Sequence, residues 1–169
     1  MGRQDCYAQA ADSLAVHLVR CGIGIVYGGA GRGLMGRLAD TALAAGGEVI
    51  GVMPRPMVDR EIAHQGLSEL HIVGSMHERK ALMGELSDAF IAMPGGFGTF
   101  EEFCEVLTWS QLGIQNKPCG LLNVSGYYDP LLRLFDDAVA EGFLKPENRA
   151  LVIASDSVEA LVKACRGDG

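Results

Sequence analysis

Short, continuous apolar runs alternate along this chain with segments in which apolar residues recur at helical spacing. Continuous runs are typical of strands buried on both faces, whereas helical spacing is typical of helices that bury one side. The alternation predicts a Rossmann-like, doubly wound α/β fold, in which helices cover both faces of a mainly parallel sheet. We expect strands at residues 23–27, 48–53, 69–73, 89–93 and 118–124. We expect helices at residues 33–45, 76–87, 99–112, 127–141 and 157–165.

The start of the chain departs from the usual order of this fold. Residues 5–20 carry apolar side chains at helical spacing, so a helix is expected where a wound sheet usually begins with a strand. With 169 residues, of which 49% are hydrophobic, the chain has the size of one globular domain. We therefore predict a single domain over residues 1–169 that lacks the first strand of the fold.

Charge and hydropathy narrow the classes of partner. A formal net charge of -7 and an isoelectric point near 5.0 argue against a broad basic surface for long nucleic acid. A pocket can still be locally positive on an acidic protein, so a small phosphorylated ligand stays compatible with this charge. No apolar run reaches the roughly 18 to 20 residues that a membrane span needs, and the N-terminus lacks the apolar segment of a secretory signal. We expect a cytoplasmic protein with no membrane partner.

The cysteines and histidines give no sign of a metal centre. The five cysteines are scattered and never form a C-x-x-C pair, so neither a disulfide framework nor a zinc ribbon is indicated. The four histidines lack the spacing of known ligand motifs. No metal site is expected.

A first glycine-rich turn follows the first predicted strand and opens a helix, with the sequence Tyr27-Gly-Gly-Ala-Gly-Arg-Gly-Leu-Met-Gly36. Glycines such as Gly28 and Gly29 let backbone N–H groups approach an anion, and the helix N-terminus adds partial positive charge. The same glycines would also suit a tight turn that binds nothing. No Gly-Lys-Ser/Thr follows, so the turn is not a P-loop, and a dinucleotide fingerprint out of register remains a minor alternative.

A second glycine-rich turn, Pro94-Gly-Gly-Phe-Gly-Thr-Phe-Glu-Glu102, lies between another strand and helix. Its glycines allow several N–H groups to converge on one phosphate, and Thr99 adds a hydroxyl donor. The alternative is a capping box, in which the side chains of Thr99 and Glu102 satisfy free N–H groups of the helix. Spacing alone does not decide between these interpretations.

A third candidate is Met76-His-Glu-Arg-Lys80, at the start of a predicted helix. Arg79 and Lys80 are adjacent and therefore diverge by about 100° around the helix, so they need not serve one partner. The guanidinium of Arg79 suits a phosphate or a carboxylate, and Glu102 would be an obvious counter-charge. The alternative is a solvated helix face.

Together, the second and third motifs resemble the paired signature of the Lonely Guy (LOG) family. That family consists of cytokinin riboside 5′-monophosphate phosphoribohydrolases, long misnamed lysine decarboxylases. Its pattern PGGxGTxxE is matched at every fixed position, and the spacing from Arg79 to Glu102 also fits. Tyr27-Gly-Gly and Gly33-Leu-Met-Gly36 are similar to the family's first glycine turn. The resemblance extends from about Asp5 to the C-terminal helix.

The resemblance implies a Rossmann-like enzyme without a cofactor, which forms a homodimer with its sites near the subunit interface. It also implies that an adenine-type nucleoside 5′-monophosphate is cut into free base and ribose 5-phosphate. Arg79 and Glu102 match the catalytic pair. Positions that contact the nucleotide in the family are matched by Lys80, Gly95, Gly96, Phe97, Gly98, Thr99, Glu101 and, by position alone, Glu61 and Thr108.

One departure from the family pattern concerns the start of the chain. Family members usually begin with a strand that ends in a Cys-Gly-Ser-Ser-like turn, which helps to hold the nucleotide. Met1 falls after that turn in the family pattern. If Met1 is the true start, the site is expected to lose those donors; the alternative is a shortened chain.

Cleavage of the C1′–N9 bond builds positive charge on the ribose, a problem that glycosidases meet with carboxylates. The corresponding hypothesis is that Glu102 stabilises this cation or activates the attacking water, while Arg79 orients Glu102 and the ribose or phosphate. A rival interpretation is a non-catalytic nucleotide- or cofactor-binding module of related fold. Lysine decarboxylation would need a Schiff-base lysine for pyridoxal phosphate, and Lys80 is the only lysine in a motif. The residues do not rank AMP against cytokinin nucleotides as substrates.

Overall fold

Two three-stranded sheets, both entirely parallel, organise the part of the chain that the computed structural model describes, residues 2–58 and 63–167. The residues divide into two compact units, Met1–Ser87 and Asp88–Gly169, each of which contains one sheet. Strands alternate with helices in both units, so the predicted parallel α/β architecture is confirmed. The single domain over residues 1–169 stays a prediction.

The first unit has the sheet order β1-β2-β3, with Ile25 of β1 opposite Val49 of β2 and Ile50 opposite Glu69 of β3. It opens with a helix, as predicted. Its elements are α1 (Asp5–Arg20), β1 (Ile25–Tyr27), α2 (Gly33–Ala44), β2 (Val49–Pro54), α3 (Arg55–Val58), β3 (Glu69–Val73) and α4 (Met76–Leu86).

The second unit has the sheet order β4-β5-β6, with Phe90 of β4 opposite Cys119 of β5, and Cys119 opposite Val152 of β6. A 3-10 turn at Val124–Gly126 follows β5. The elements are β4 (Phe90–Ala92), α5 (Phe97–Gln111), β5 (Cys119–Leu122), α6 (Asp129–Ala140), α7 (Pro146–Arg149), β6 (Val152–Ser155) and α8 (Val158–Arg166).

Two of the predicted elements have the boundaries that the structure shows. Residues 5–20 and 69–73 form α1 and β3 with the predicted ends. The prediction was wrong at α5, which begins two residues before position 99 because glycine supplies its N-cap. It was also wrong in containing no strand at β6.

The core of the first unit depends on small side chains where α1 and α2 meet the sheet. Ala15 of α1, with Ala39 and Ala42 of α2, is fully or almost fully buried and packs in one cluster with Ile25 and Val49. The small alanine side chain lets helix backbones approach the sheet closely. Burial of apolar surface stabilises the folded state by about 25 cal/mol for each Å² removed from water. This packing holds α2, and with it the first glycine turn, against β1.

The core of the second unit is built around aromatic residues. Phe103 and Val106, on one face of α5, pack with Leu121 of β5 and with Tyr128. Tyr128 is 1% exposed, and its ring meets that of Phe100 edge to face, with centroids 6.4 Å apart. The cluster fixes α5 over β5, and with it the turn that leads into α5.

The carboxyl ends of parallel strands meet at one edge of a sheet, where α/β proteins bind their ligands. In the first unit this edge carries the Gly28–Gly29 turn after β1 and the Gly74–Ser75 turn after β3. In the second unit it carries the 94–96 turn after β4. All three candidate motifs therefore lie at the carboxyl edge of their own sheet.

No helix within residues 2–58 and 63–167 combines the length and the apolar character that crossing a membrane requires.

A carboxylate on α1 ties this helix to α2. Asp12 accepts hydrogen bonds from Arg37 Nε at 2.8 Å, from Arg37 Nη2 at 2.6 Å and from Thr41 Oγ1 at 2.9 Å. The bonds from Arg37 lower the pKa of Asp12, outweighing the opposing effect of burial.

The pKa of Asp12 is lower in the folded state than in the unfolded state, where it is about 3.9. Ionised Asp12 therefore stabilises the fold fully above the unfolded-state pKa. This stabilisation is lost as the pH falls through the folded-state pKa. Asp12→Asn should therefore lower the melting temperature at pH 7, with a difference that shrinks on acidification below about pH 4. Thermal unfolding between pH 7 and pH 2.5 measures this. Asp137→Asn, at an exposed carboxylate of α6, controls for the loss of one charge. A melting-temperature difference that does not change with pH would contradict the assignment of this stabilisation to the ionised Asp12 carboxylate.

Candidate active site

The turn after β1 brings Arg79 of α4 against the backbone of Gly28. A Cβ atom built on Gly28 would lie 2.1 Å from Arg79 Nη2, so a larger residue would displace the guanidinium. Gly29 has a positive φ of 81°, a conformation that favours glycine. The two glycines thus have different physical roles: Gly29 makes the turn, and Gly28 leaves room for Arg79.

Arg79 is half-buried and is held by β2 as well as by the turn. Its Nε donates a hydrogen bond to the carbonyl oxygen of Val52 at 3.2 Å. The alternative of a solvated helix face is therefore wrong for Arg79. Lys80, the next residue of α4, is also half-buried.

The N-terminus of α4 is closed by its own side chains. Ser75 is the N-cap, and its Oγ accepts a hydrogen bond from the Glu78 N–H at 3.1 Å. Glu78 Oε2 in turn accepts from the Gly74 N–H at 2.8 Å. This reciprocal arrangement is close to a capping box, which stabilises a helix start by about 1 kcal/mol. Glu78 therefore serves the helix start, so within this motif the predicted ligand contacts concern Arg79 and Lys80.

The N-terminus of α5 is open by comparison. Gly96 is the N-cap and makes no side-chain capping hydrogen bond, and the helix begins at Phe97. Thr99 is therefore the third residue of the helix, so the alternative interpretation of Thr99 and Glu102 as a capping box is wrong. The N–H groups of a first helical turn have no partner within the helix, and the helix dipole adds positive charge there. This is the arrangement that binds phosphates and other anions.

The side chains of the 95–99 turn leave that helix end accessible. The Thr99 side chain folds against Gly95, where a Cβ atom would lie 2.1 Å from Thr99 Oγ1. At Gly96 and Gly98 a Cβ would meet no atom within 4 Å, so the space beside them is open. Phe97 is 91% exposed. A planar or anionic group can reach the backbone here.

The carboxylates predicted to act follow one turn later on α5. Glu101 is exposed and Glu102 is half-buried. As neighbours they diverge by about 100° around the helix, so they face different surroundings. Thr108 is exposed on the same helix, and its hydroxyl donates to the Cys104 carbonyl at 2.7 Å. Glu61 lies outside the described residues.

The structure places some of the predicted site residues in contact with each other, and the functional roles of all of them stay predictions. Arg79 lies against Gly28 in the first unit, and Thr99 lies against Gly95 in the second unit. Two contributors were not predicted: the Val52 carbonyl, and the hydroxyl of Tyr127, which donates to the Gly95 carbonyl. The only sequence signal for Tyr127 is its place shortly after a strand.

Within residues 2–58 and 63–167, no group of three or more histidine, cysteine, aspartate or glutamate side chains is arranged to hold a metal ion.

A family model and named relatives both match most of this chain. A family model described as "Possible lysine decarboxylase" matches residues 35–165. A cytokinin riboside 5′-monophosphate phosphoribohydrolase of Rhodococcoides fascians is 52% identical over 166 residues, which is 98% of this chain and 84% of the relative. One of Arabidopsis thaliana with the same activity in its name is 48% identical over 162 residues, 96% of this chain and 71% of the relative. The chain belongs to the LOG family. The resemblance of its motifs to that family is confirmed.

Solved structures similar to this LOG family member confirm the Rossmann-like fold. The molybdenum cofactor carrier protein of Chlamydomonas reinhardtii superposes with a TM-score of 0.72 over 97% of this chain and 88% of that one, at 21% identity. The molybdenum cofactor binding protein of Rippkaea orientalis gives a TM-score of 0.72 over 98% and 89%, at 19% identity. At such identities the likeness concerns the fold alone.

Proposed function

We propose that this LOG family member hydrolyses the N-glycosidic bond of adenine-type nucleoside 5′-monophosphates, releasing free base and ribose 5-phosphate. AMP and cytokinin riboside 5′-monophosphates both belong to this substrate class. The observation that carries the proposal is the open N-terminus of α5, which begins inside the sequence Pro94–Glu102 without a side-chain cap. The names of the relatives from Rhodococcoides fascians and Arabidopsis thaliana support the same reaction.

In this proposal the 5′-phosphate binds at the turn before α5. The N–H groups of Gly96, Phe97 and Gly98 supply donors, and the Thr99 hydroxyl adds another. The phosphate lies far from the bond that breaks, so its binding energy positions C1′ without itself entering the chemistry. An acidic protein with a net charge of -7 can bind a dianion here because the donors and the helix dipole act locally.

Glu102 supplies the carboxylate of the reaction. As the base leaves, positive charge builds on the ribose ring, and a carboxylate stabilises that charge or activates the attacking water. Glu102 is half-buried and lies one helical turn after the phosphate turn. Because α5 begins at Phe97, Glu102 lies within the helix and not in a capping box that begins at Thr99.

Arg79 supplies the fixed positive charge. Its anchorage on the Val52 carbonyl and against Gly28 restricts its rotamers, which lowers the entropy lost when it binds an anionic or hydroxyl group. Arg79 orients the ribose or the phosphate, and Lys80, Glu101, Glu61 and Thr108 contribute further contacts to the nucleotide. These assignments rest on the family signature, which contains both Arg79 and Glu102.

The rival interpretations lack a supporting observation of comparable weight. A non-catalytic binding module has little use for a carboxylate close to a dianionic phosphate. Lysine decarboxylation, which the family description names, requires a Schiff-base lysine, and Lys80 is the only lysine in a motif.

We also propose that the protein is a cytoplasmic homodimer with its sites near the subunit interface. Two large apolar side chains just after α5 are exposed, Leu112 by 64% and Ile114 by 67%. Exposed large apolar residues that lie close together in the chain favour a protein contact.

Replacing Glu102 with Gln should abolish base release while sparing nucleotide binding. The amide keeps the shape of the side chain but cannot stabilise a cation or accept a proton, so turnover should fall by about 1,000-fold. Chromatography of free base from AMP and from isopentenyladenine riboside 5′-monophosphate measures turnover, and calorimetry measures affinity. Glu141→Gln, at an exposed carboxylate after α6, is the matched control. Turnover retained by Glu102→Gln would refute the assignment.

Replacing Gly28 with Ala should displace the Arg79 guanidinium without unfolding the chain. The new methyl group overlaps only the far end of a flexible side chain, so the melting temperature should change little. A displacement of about 1 Å in a positioning group costs about 100-fold in rate. Gly24→Ala is the control, because it is the same substitution and its new Cβ would approach only Glu48, with the flexible carboxylate nearest at 3.3 Å, and not Arg79. Equal activity in both variants would show that Gly28 does not position Arg79.

A further inference from the structure

Two adjacent tyrosines reach across the second unit to the turn before α5. Tyr127 donates its hydroxyl hydrogen to the Gly95 carbonyl, 32 residues away, and Tyr128 donates to the Met93 carbonyl at 2.6 Å, 35 residues away. Their rings meet edge to face with centroids 5.0 Å apart. The pair therefore binds the backbone on both sides of Pro94.

Tyr128, against which the Tyr127 ring packs, is held by hydrogen bonds and by burial. The Tyr128 N–H donates to Asn123 Oδ1 at 2.7 Å, and Asn123 Nδ2 donates to Asp129 Oδ1 at 2.7 Å. Tyr128 is buried among aromatic side chains. Burial raises the pKa of the Tyr128 hydroxyl, and the neighbouring Tyr127 adds to the shift, so this hydroxyl stays protonated and donates.

The two hydrogen bonds have different consequences for the turn. In a planar trans peptide the C=O and N–H groups point in opposite directions. The bond from Tyr127 to the Gly95 carbonyl therefore directs the Gly96 N–H away from Tyr127. The Met93 carbonyl belongs to the peptide that ends at Pro94, which has no N–H. Only the Tyr127 bond sets the direction of a donor.

The peptide that Tyr127 holds is one that would otherwise rotate easily. It joins Gly95 to Gly96, and glycine has access to conformations that a Cβ atom forbids. At Gly96 the surrounding space is open. A hydrogen bond to the Gly95 carbonyl is therefore the interaction that selects one orientation of this peptide.

We propose that Tyr127 is a positioning residue for the substrate phosphate, because its hydroxyl fixes the Gly95–Gly96 peptide with the Gly96 N–H directed into the anion site. This inference rests on the proposed function. Tyr128 stabilises the same turn but orients no donor, so the chain contains its own matched control.

The test compares Tyr127→Phe with Tyr128→Phe in the full chain. Ribose 5-phosphate and adenosine are titrated separately by calorimetry, and the glycine amides of ¹⁵N-glycine-labelled protein are followed by NMR. Tyr127→Phe should weaken ribose 5-phosphate binding by about tenfold, the usual effect of one lost hydrogen bond to a positioned group. It should leave adenosine binding unchanged and broaden the Gly96 amide resonance. Tyr128→Phe should lower the melting temperature but keep ribose 5-phosphate affinity within about twofold, because the peptide that it binds carries no donor.

Unchanged ribose 5-phosphate affinity in Tyr127→Phe would overturn the inference, as would an equal loss in both variants, which indicates a merely structural role. Absence of ribose 5-phosphate binding by the wild-type chain would overturn it as well. Base release from AMP by the wild-type chain is measured in parallel and tests the proposed function separately. Wild-type turnover together with normal affinity in Tyr127→Phe would reject the role of Tyr127 alone.

Discussion

The start of α5 is the constraint on which the site depends. The N–H groups of a helix's first turn have no partner within the helix; α4 and α8 bind one of theirs with the serine caps Ser75 and Ser157, whereas α2 and α5 have no side-chain cap. At α5 the N-cap is Gly96, which has no side chain to offer. The donors of that turn are therefore left to solvent or to a ligand. A phosphate fits both their direction and their charge.

The rest of the second unit supports this open end. The aromatic cluster holds α5 on β5, while Tyr127 and Tyr128 bind the carbonyl groups of the preceding turn. In the first unit, the Val52 carbonyl and the backbone at Gly28 hold the Arg79 guanidinium in place. In both units a glycine allows a close approach, and a hydrogen bond from a side chain to a backbone carbonyl fixes the geometry. Rigid supports of this kind are what catalytic groups need.

Local patterns predicted much of the fold because they are set by residues close in sequence. The helix at residues 5–20 and the strand at 69–73 have clear periodicity and were predicted with their observed ends. β6 was not predicted, although the residues Val152–Ile153–Ala154 form a short apolar run, because so few residues do not separate a strand from an apolar turn. Pairing with β5, a contact distant in sequence, decides the matter.

In the candidate site, too, local sequence patterns located the motifs, whereas contacts distant in sequence determined their geometry. Ser75–Glu78 and Thr99–Glu102 both have the spacing of a capping box, yet the first pair caps α4 whereas the second lies inside α5. The difference is where the helix begins, which Gly96 and the packing of α5 determine. The contacts of Arg79 with Gly28 and of Tyr127 with Gly95 join residues far apart in sequence, so spacing could not reveal them. Glycine content and motif spacing located the turns, and tertiary contacts supplied their geometry.

The most direct test of the central claim is the ratio of kcat/KM for AMP to kcat/KM for adenosine, measured as adenine release by the full chain. If the open turn before α5 binds the 5′-phosphate and uses that binding to position C1′, removing the phosphate should lower kcat/KM by about 1,000-fold. A ratio close to one would contradict the account, because the phosphate would then contribute nothing to the reaction.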